Sequence, residues 1–209
     1  GAMAAVVLTY LLAGRSGASH TLILAGIAVS SLFGAGVALA LNLAPNPFAA
    51  MEVIFWLMGS LADRSMEQVW LAVPFMLLGW LCLLSCLRGL NALSLGEMTA
   101  TSLGISLPSI QWRLALGVAL SVGAAVSVTG SIGFVGLVVP HLLRPLVGHM
   151  PGRLLPASAF GGAILLLAAD IAVRLIPTSG TELRLGVVTA LIGAPFFLGL
   201  LVETRRRMV

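Results

Sequence analysis

Charged side chains are scarce in this sequence. Aspartate, glutamate, lysine and arginine together make up 9% of its 209 residues, whereas 59% of the residues are hydrophobic. A soluble domain carries about 25% charged residues, because water must wet its surface. The mean hydropathy of +1.11 therefore excludes an ordinary soluble globule. It predicts helices that face lipid or one another.

Cysteine is equally scarce, and the few histidines are dispersed. Cys82 and Cys86 lie four residues apart in an apolar run, where zinc would lack further ligands, so packing is the favoured interpretation. His20, His141 and His149 lie in separate segments. The sequence also lacks a nucleophile motif, a phosphate-binding loop and ionisable residues in the central turns of its apolar runs. We therefore predict a chain that is not an enzyme and binds no metal or cofactor.

Long apolar runs are the dominant feature. They occupy residues 21–43, 69–87, 112–130, 154–176 and 186–202, with a shorter run at 133–148. Residues 1–13 are apolar too, but a bilayer crossing takes about 20 residues, so they are interpreted as the end of a helix. The runs lack the alternation of barrel strands. They predict an all-α polytopic bundle with seven membrane segments and a short interfacial helix at 48–61.

The basic residues divide unevenly between the two sides of this bundle. Seven crossings place Arg15, Arg88, Arg113, Arg144, Arg153, Arg205, Arg206 and Arg207 on one side, and Arg64, Arg174 and Arg184 on the other. Cytoplasmic loops carry the excess of arginine and lysine. The first side, including the C-terminus, is therefore predicted to be cytoplasmic. A sequence pI near 10.5 reflects these dispersed charges and does not indicate a nucleic-acid-binding face.

The largest loop on that side covers residues 90–105. Ser94 and Glu97 have the spacing of a capping box, and Leu103-Gly104 supplies a helix stop. A short helix with apolar Leu95 and Met98 beside polar positions is thus predicted in the cytoplasm. Two interpretations remain open: a helix lying on the membrane surface, or a projection that docks into a cytoplasmic partner.

The same loop contains Leu95-Gly96-Glu97 followed by Ala100 and Leu103-Gly104. This motif resembles the coupling loop of the FecCD-type permeases, the membrane subunits of type II ABC importers for iron-siderophore, haem and vitamin B12. The most specific stretch is 130–144, which reads GSIGFVGLVVPHLLR. The segments 24–28, 55–60, 154–158, 169–174 and 186–197 follow the family pattern in the same order.

This resemblance implies a single permease domain over 1–209 that corresponds to the fourth through tenth of the family's ten membrane helices, without the first three. It implies a multi-pass subunit of the bacterial inner membrane that pairs with a second copy, most simply as a homodimer. A cytoplasmic ATPase would use the ATP, and an extracytoplasmic binding protein would deliver the metal chelate. The residues implied to contact the ATPase are Leu95, Gly96, Glu97, Met98, Ala100, Leu103 and Gly104, within the coupling loop 90–105.

Three further residues have both a local and a family interpretation. Asp170 and Arg174 are four apart on one predicted helix, which favours an ion pair; the resemblance implies that Arg174 docks the binding protein. Ser19 can cap the helix that follows it, whereas the resemblance places the cytoplasmic gate at Ser19 and His20. Arg184 departs from the pattern, because the family usually has proline there.

Two other classes of membrane protein compete with this interpretation. A secondary transporter driven by an ion gradient usually buries ionisable residues and broken helices near the midplane, and this sequence has no charge there. A structural or assembly protein is disfavoured by the irregular, proline-bent helices. Co-purification of an ATPase subunit would discriminate among the three.

Overall fold

The computed structural model describes residues 1–14, 19–176 and 183–208, and every regular element in these ranges is a helix. The ten helices are α1 (Ala2–Ala13), α2 (Ser19–Asn42), α3 (Pro47–Met58), α4 (Met66–Ser85), α5 (Leu87–Leu93), α6 (Glu97–Ser102), α7 (Leu107–Thr129), α8 (Val135–Val147), α9 (Pro151–Leu175) and α10 (Leu185–Met208). The predicted all-α bundle is confirmed.

Four of these helices are long and apolar enough to cross a membrane: His20–Asn42, Met66–Ser85, Leu107–Thr129 and Pro151–Leu175. Shorter apolar helices occur at Ala2–Ala13, Pro47–Met58, Val135–Val147 and Leu185–Gly199. The predicted interfacial helix corresponds to α3, whose start is fixed by the Asn46 side chain accepting a hydrogen bond from the Ala49 amide at 2.8 Å. Many large apolar side chains of the long helices remain exposed, among them Leu24, Leu71 and Ile164, as expected of surfaces that meet lipid or further helices.

The helices pack in two main groups. α4 lies most extensively against α7, and α8 against α9, while α1 contacts both α2 and α7. Gly79 makes the α4–α7 contact close, because a Cβ there would lie 2.7 Å from the Gly117 carbonyl oxygen. Small residues allow such backbone approach in membrane bundles, where packing rather than the hydrophobic effect holds helices together.

At one end of the bundle three chain segments meet, and we call this the junction end. The Ser60 amide donates to the Thr129 carbonyl at 2.8 Å, and the Gly186 amide donates to the Gly59 carbonyl at 3.2 Å. The end of α3, the end of α7 and the start of α10 are thereby joined. The opposite end, which carries α5 and α6, is called the loop end.

Candidate functional site

The loop end presents the segment predicted to bind a partner. α4 stops at Ser85, and Cys86, 2% exposed, separates it from α5. α5 was not predicted, because the apolar run 69–87 ends one residue past this break and the residues that follow were assigned to the loop. α6 then follows at Glu97–Ser102, so the predicted short helix is present.

The predicted capping box is wrong. The residue before α6 is Gly96, and no side chain caps the helix. The Ser94 hydroxyl instead donates to the Asn91 carbonyl at 2.6 Å, because Ser94 closes α5. Ser94 has helical dihedral angles, φ of −66° and ψ of −15°, whereas a residue that caps the start of a helix is typically extended.

The predicted stop at Leu103-Gly104 is confirmed. Gly104 has φ of 77°, a conformation that costs glycine little. Its amide donates to the Thr101 carbonyl at 2.9 Å, and the Ile105 amide donates to the Ala100 carbonyl at 3.1 Å. This pair of bonds is a Schellman motif, and it turns the chain back toward the start of α7.

The exposure pattern of this segment separates an anchor from a free surface. Ala100 is 0% exposed and faces the bundle, whereas Leu95, Met98 and Leu103 are 67%, 87% and 63% exposed. Glu97 is also exposed, in the first turn of α6. Three exposed apolar side chains around a buried small residue fit both interpretations left open by the sequence, a helix lying on the membrane surface and a projection that docks into a partner.

The segment before α6 is fixed to a membrane-spanning helix. The Gly152 amide at the start of α9 donates to the Asn91 side-chain oxygen of α5 at 2.7 Å. A net contribution of about 0.5–1.5 kcal/mol is typical of such a bond. Its importance here is geometric, since it holds α5, and the loop that follows it, against α9.

The junction end carries the predicted ion pair. Arg174 Nε lies 2.8 Å from Asp170 Oδ2, and the Arg174 side chain is 61% exposed while that of Asp170 is 19% exposed. The ion pair is therefore confirmed. An exposed pair of this kind adds only about 0–1 kcal/mol, and the rest of the guanidinium faces outward, beside a recess of about 340 Å³ that Ser60 and Leu185 also line.

The predicted gate residues lie at the start of α2. α2 begins at Ser19, and His20 is exposed. The side chain of Ser19 lies outside the described residues, so neither its capping nor its gating role has a structural outcome. Among the described side chains, no group of three or more histidine, cysteine or acidic residues could hold a metal ion.

Sequence reasoning missed a second cluster at the junction end. The Arg184 guanidinium lies over the Phe55 ring, 5.0 Å from its centroid, and Arg64 Nε donates to the Ser60 carbonyl at 3.3 Å. In the sequence analysis Arg64 served only for orientation, and Arg184 for orientation and as a departure from the family pattern. Because each belongs to a different connecting segment, no local spacing connects them.

The comparisons with known proteins match this architecture along nearly the whole chain. The chain belongs to the FecCD transport family, whose model matches residues 1–203. It is 46% identical over 185 residues to the vitamin B12 import system permease protein BtuC of Vibrio cholerae, covering 87% of this chain and 54% of that protein. It is 41% identical over 206 residues to the Fe(3+) dicitrate transport system permease protein FecD of Escherichia coli, covering 98% of this chain and 63% of that protein.

A solved structure shares the fold. It is described as an inward-facing conformation of a metal-chelate type ABC transporter, and it superposes with a TM-score of 0.85 at 37% identity over 95% of this chain and 63% of that chain. The chain thus spans between 54% and 63% of the length of these three relatives. The predicted family is confirmed.

Proposed function

We propose that this chain is part of the membrane-spanning permease subunit of an ATP-driven importer for a metal chelate of the iron-siderophore, haem or cobalamin type. The observation that carries the proposal is the exposed apolar surface of α6 at one end of a bundle that belongs to the FecCD transport family. The vitamin B12 and Fe(3+) dicitrate permeases among its relatives support the substrate class. The subunit hydrolyses nothing itself and binds no cofactor.

The proposed orientation places the loop end in the cytoplasm, with the C-terminus, and the junction end outside. Arg88, Arg113, Arg144 and Arg153 lie at or near helix termini of the loop end, and Arg64, Arg174 and Arg184 lie at the junction end. The arginine excess of the cytoplasmic side supports this assignment. The membrane is then the bacterial inner membrane.

The proposed ATPase contact is the surface formed by Leu95, Gly96, Glu97, Met98, Leu103 and Gly104; the predicted contact of Ala100 is wrong, because this residue is fully buried against the bundle. Within it, Met98 is the most exposed apolar side chain, and Ala100 fixes the helix to the bundle. The proposed second permease copy covers α2, which packs mainly on α1 and otherwise exposes large side chains such as Ile23 and Leu32. Ser19 and His20, at the loop end of α2, form the proposed gate.

Reconstituted uptake tests the proposal against a secondary transporter. The full-length permease, its ATPase and its binding protein would be placed in vesicles with labelled ferric dicitrate, haem or cyanocobalamin. We expect uptake of at least one of these to require hydrolysable ATP and to persist when ionophores dissipate all ion gradients. Uptake that needs no ATP and collapses with the gradients would contradict the proposal.

The proposed docking residue for the binding protein is Arg174. Because part of its guanidinium remains free beside the Asp170 pair, an acid of the partner can form a charge-assisted contact with it. We expect Arg174→Glu to weaken binding-protein affinity by about tenfold or more at low ionic strength and much less at high ionic strength, since salt screens exposed charges.

Asp170→Asn is the matched control for this prediction. It breaks the same ion pair but leaves the charge of Arg174, so docking should be kept. Affinity would be measured in lipid discs at two salt concentrations. Normal affinity of the Arg174→Glu permease at low salt would leave Arg174 with the intrahelical role alone.

A further inference from the structure

A pocket of about 590 Å³ opens at the junction end between α3 and the start of α10. Phe48, Phe55 and Trp56 of α3 form much of its wall, and Arg64 and Arg184 complete it. Small-molecule sites have this size and this composition, with mainly apolar walls and a few polar groups. The pocket is distinct from the recess beside Asp170 and Arg174.

The charged groups of the pocket favour an anion. Arg184 lies over the Phe55 ring, and only Nε of Arg64 has a described hydrogen bond. Among the described residues, neither guanidinium is paired with a carboxylate. Glu52 also lines the pocket and is exposed, so two positive charges face one negative charge.

The position of the pocket indicates a ligand that arrives from water. Its lining residues come from α3 and from the segments before α4 and α10, and none comes from the body of α4, α7 or α9. The pocket is therefore formed at the junction end by α3 and the connecting segments, and not between the membrane-spanning helices. Phe48 and Trp56, two of its lining residues, are 86% and 52% exposed.

A second, more apolar recess adjoins the first. The next residues of the same two segments, Leu57 with Met58 and Gly186 with Val187, line a pocket of about 640 Å³ that extends along α10 to Pro195. Ten residues of helix correspond to a rise of about 15 Å. A bulky ligand whose anionic groups bind the two arginines would thus lie next to the start of this apolar recess.

The geometry points to an anion-selecting entry subsite, in which Arg64 and Arg184 receive the carboxylates of a ferric carboxylate chelate. This inference rests on the proposed transport function and narrows its substrate class. Guanidinium groups bind carboxylates through paired N–H donors. The Phe55 ring beneath Arg184 already restricts this side chain, so it loses less conformational freedom when it binds a ligand. An uncharged corrinoid gains nothing from the pair.

Binding to the full-length permease in phosphatidylcholine discs tests the subsite, with ferric dicitrate as the anionic probe and cyanocobalamin as the uncharged one. We expect saturable ferric dicitrate binding that weakens by about tenfold or more in Arg184→Gln and in Arg64→Gln. Glu52→Gln should strengthen it, because the opposing charge is removed. Cyanocobalamin binding should be the same in all four proteins.

Several results would overturn the subsite. The first is no saturable binding of ferric dicitrate to the wild type. The second is an affinity of Arg184→Gln equal to that of the wild type, and the third is an unchanged affinity of Glu52→Gln. The Glu52→Gln variant remains informative if the arginine variants fail to fold. Competition by phosphatidylglycerol added to the discs would assign the pocket to lipid instead. Charge-dependent binding without ATP-driven uptake would count against the transport proposal alone, whereas ATP-driven uptake without charge-dependent binding would count against the subsite alone.

Discussion

The Gly130→Ala permease is expected to be severely destabilised. Gly130 ends α7 with φ of 73° and ψ of −169°, a region that is essentially closed to residues with a Cβ. A Cβ at this position would also collide with the Trp56 carbonyl oxygen and lie 3.1 Å from Gly59 Cα. The backbone strain costs about 1–3 kcal/mol, and overpacking against backbone that cannot rotate away costs about 1–3 kcal/mol more.

Two other glycines separate these causes. Gly148 has φ of 87° with no heavy atom within 4 Å of its would-be Cβ, so Gly148→Ala carries the strain alone. Gly136 lies inside α8, also with nothing within 4 Å, and Gly136→Ala carries neither penalty. The fraction of monodisperse full-length permease after heating should therefore fall in the order Gly136→Ala, Gly148→Ala, Gly130→Ala. Equal behaviour of all three would contradict the packing at the junction end.

The Met98→Arg permease is expected to insert into the membrane normally but not to associate with the ATPase subunit. Met98 is 87% exposed at the centre of the proposed coupling surface, and an interface that buries it would have to bury an unpaired guanidinium instead. Substitutions at central interface positions cost about 2–4 kcal/mol of binding free energy, which lowers the association constant by roughly 30- to 1,000-fold. ATP-driven uptake should fall to background as the two subunits separate.

Met150 provides the control. It is a methionine of the same end of the bundle, 58% exposed in the turn before α9, and it lies outside the loop 90–105. Met150→Arg introduces the same charge without touching α6, so co-purification of the ATPase and uptake should be retained. Retained assembly in Met98→Arg, or equal loss in both variants, would contradict the coupling role of this surface.

The spans of the bundle could be predicted because the bilayer imposes one rule on every residue of a crossing helix. A helix that faces lipid must be apolar over most of its length, and the run at 154–176 accordingly differs from α9 (Pro151–Leu175) only at its ends. The run at 69–87 likewise ends one residue past the break at Cys86, but α5 (Leu87–Leu93), which contains Arg88 and Asn91, forms no apolar run and was not predicted. Hydropathy indicates whether a helix faces lipid or water, and it carries no information about where the helix axis changes direction.

Features of the candidate site could be predicted only where they involve residues close together in the sequence. The Asp170–Arg174 pair follows from a spacing of one helical turn, and the Gly104 stop follows from a conformation that favours glycine. The capping box failed because Ser94 closes α5 in a helical conformation, and Gly96 precedes α6 instead. The Asn91–Gly152 bond and the Arg184–Phe55 contact join distant parts of the chain, so they depend on packing that no spacing encodes.

The bond between Asn91 and Gly152 attaches α5 to the first turn of α9. α9 is a continuous helix of 25 residues, about 37 Å long, with the α5 attachment at its first turn and the Asp170–Arg174 pair near its last. One helix thus joins the loop end, which carries the proposed coupling surface, to the junction end, which carries the proposed docking residue Arg174.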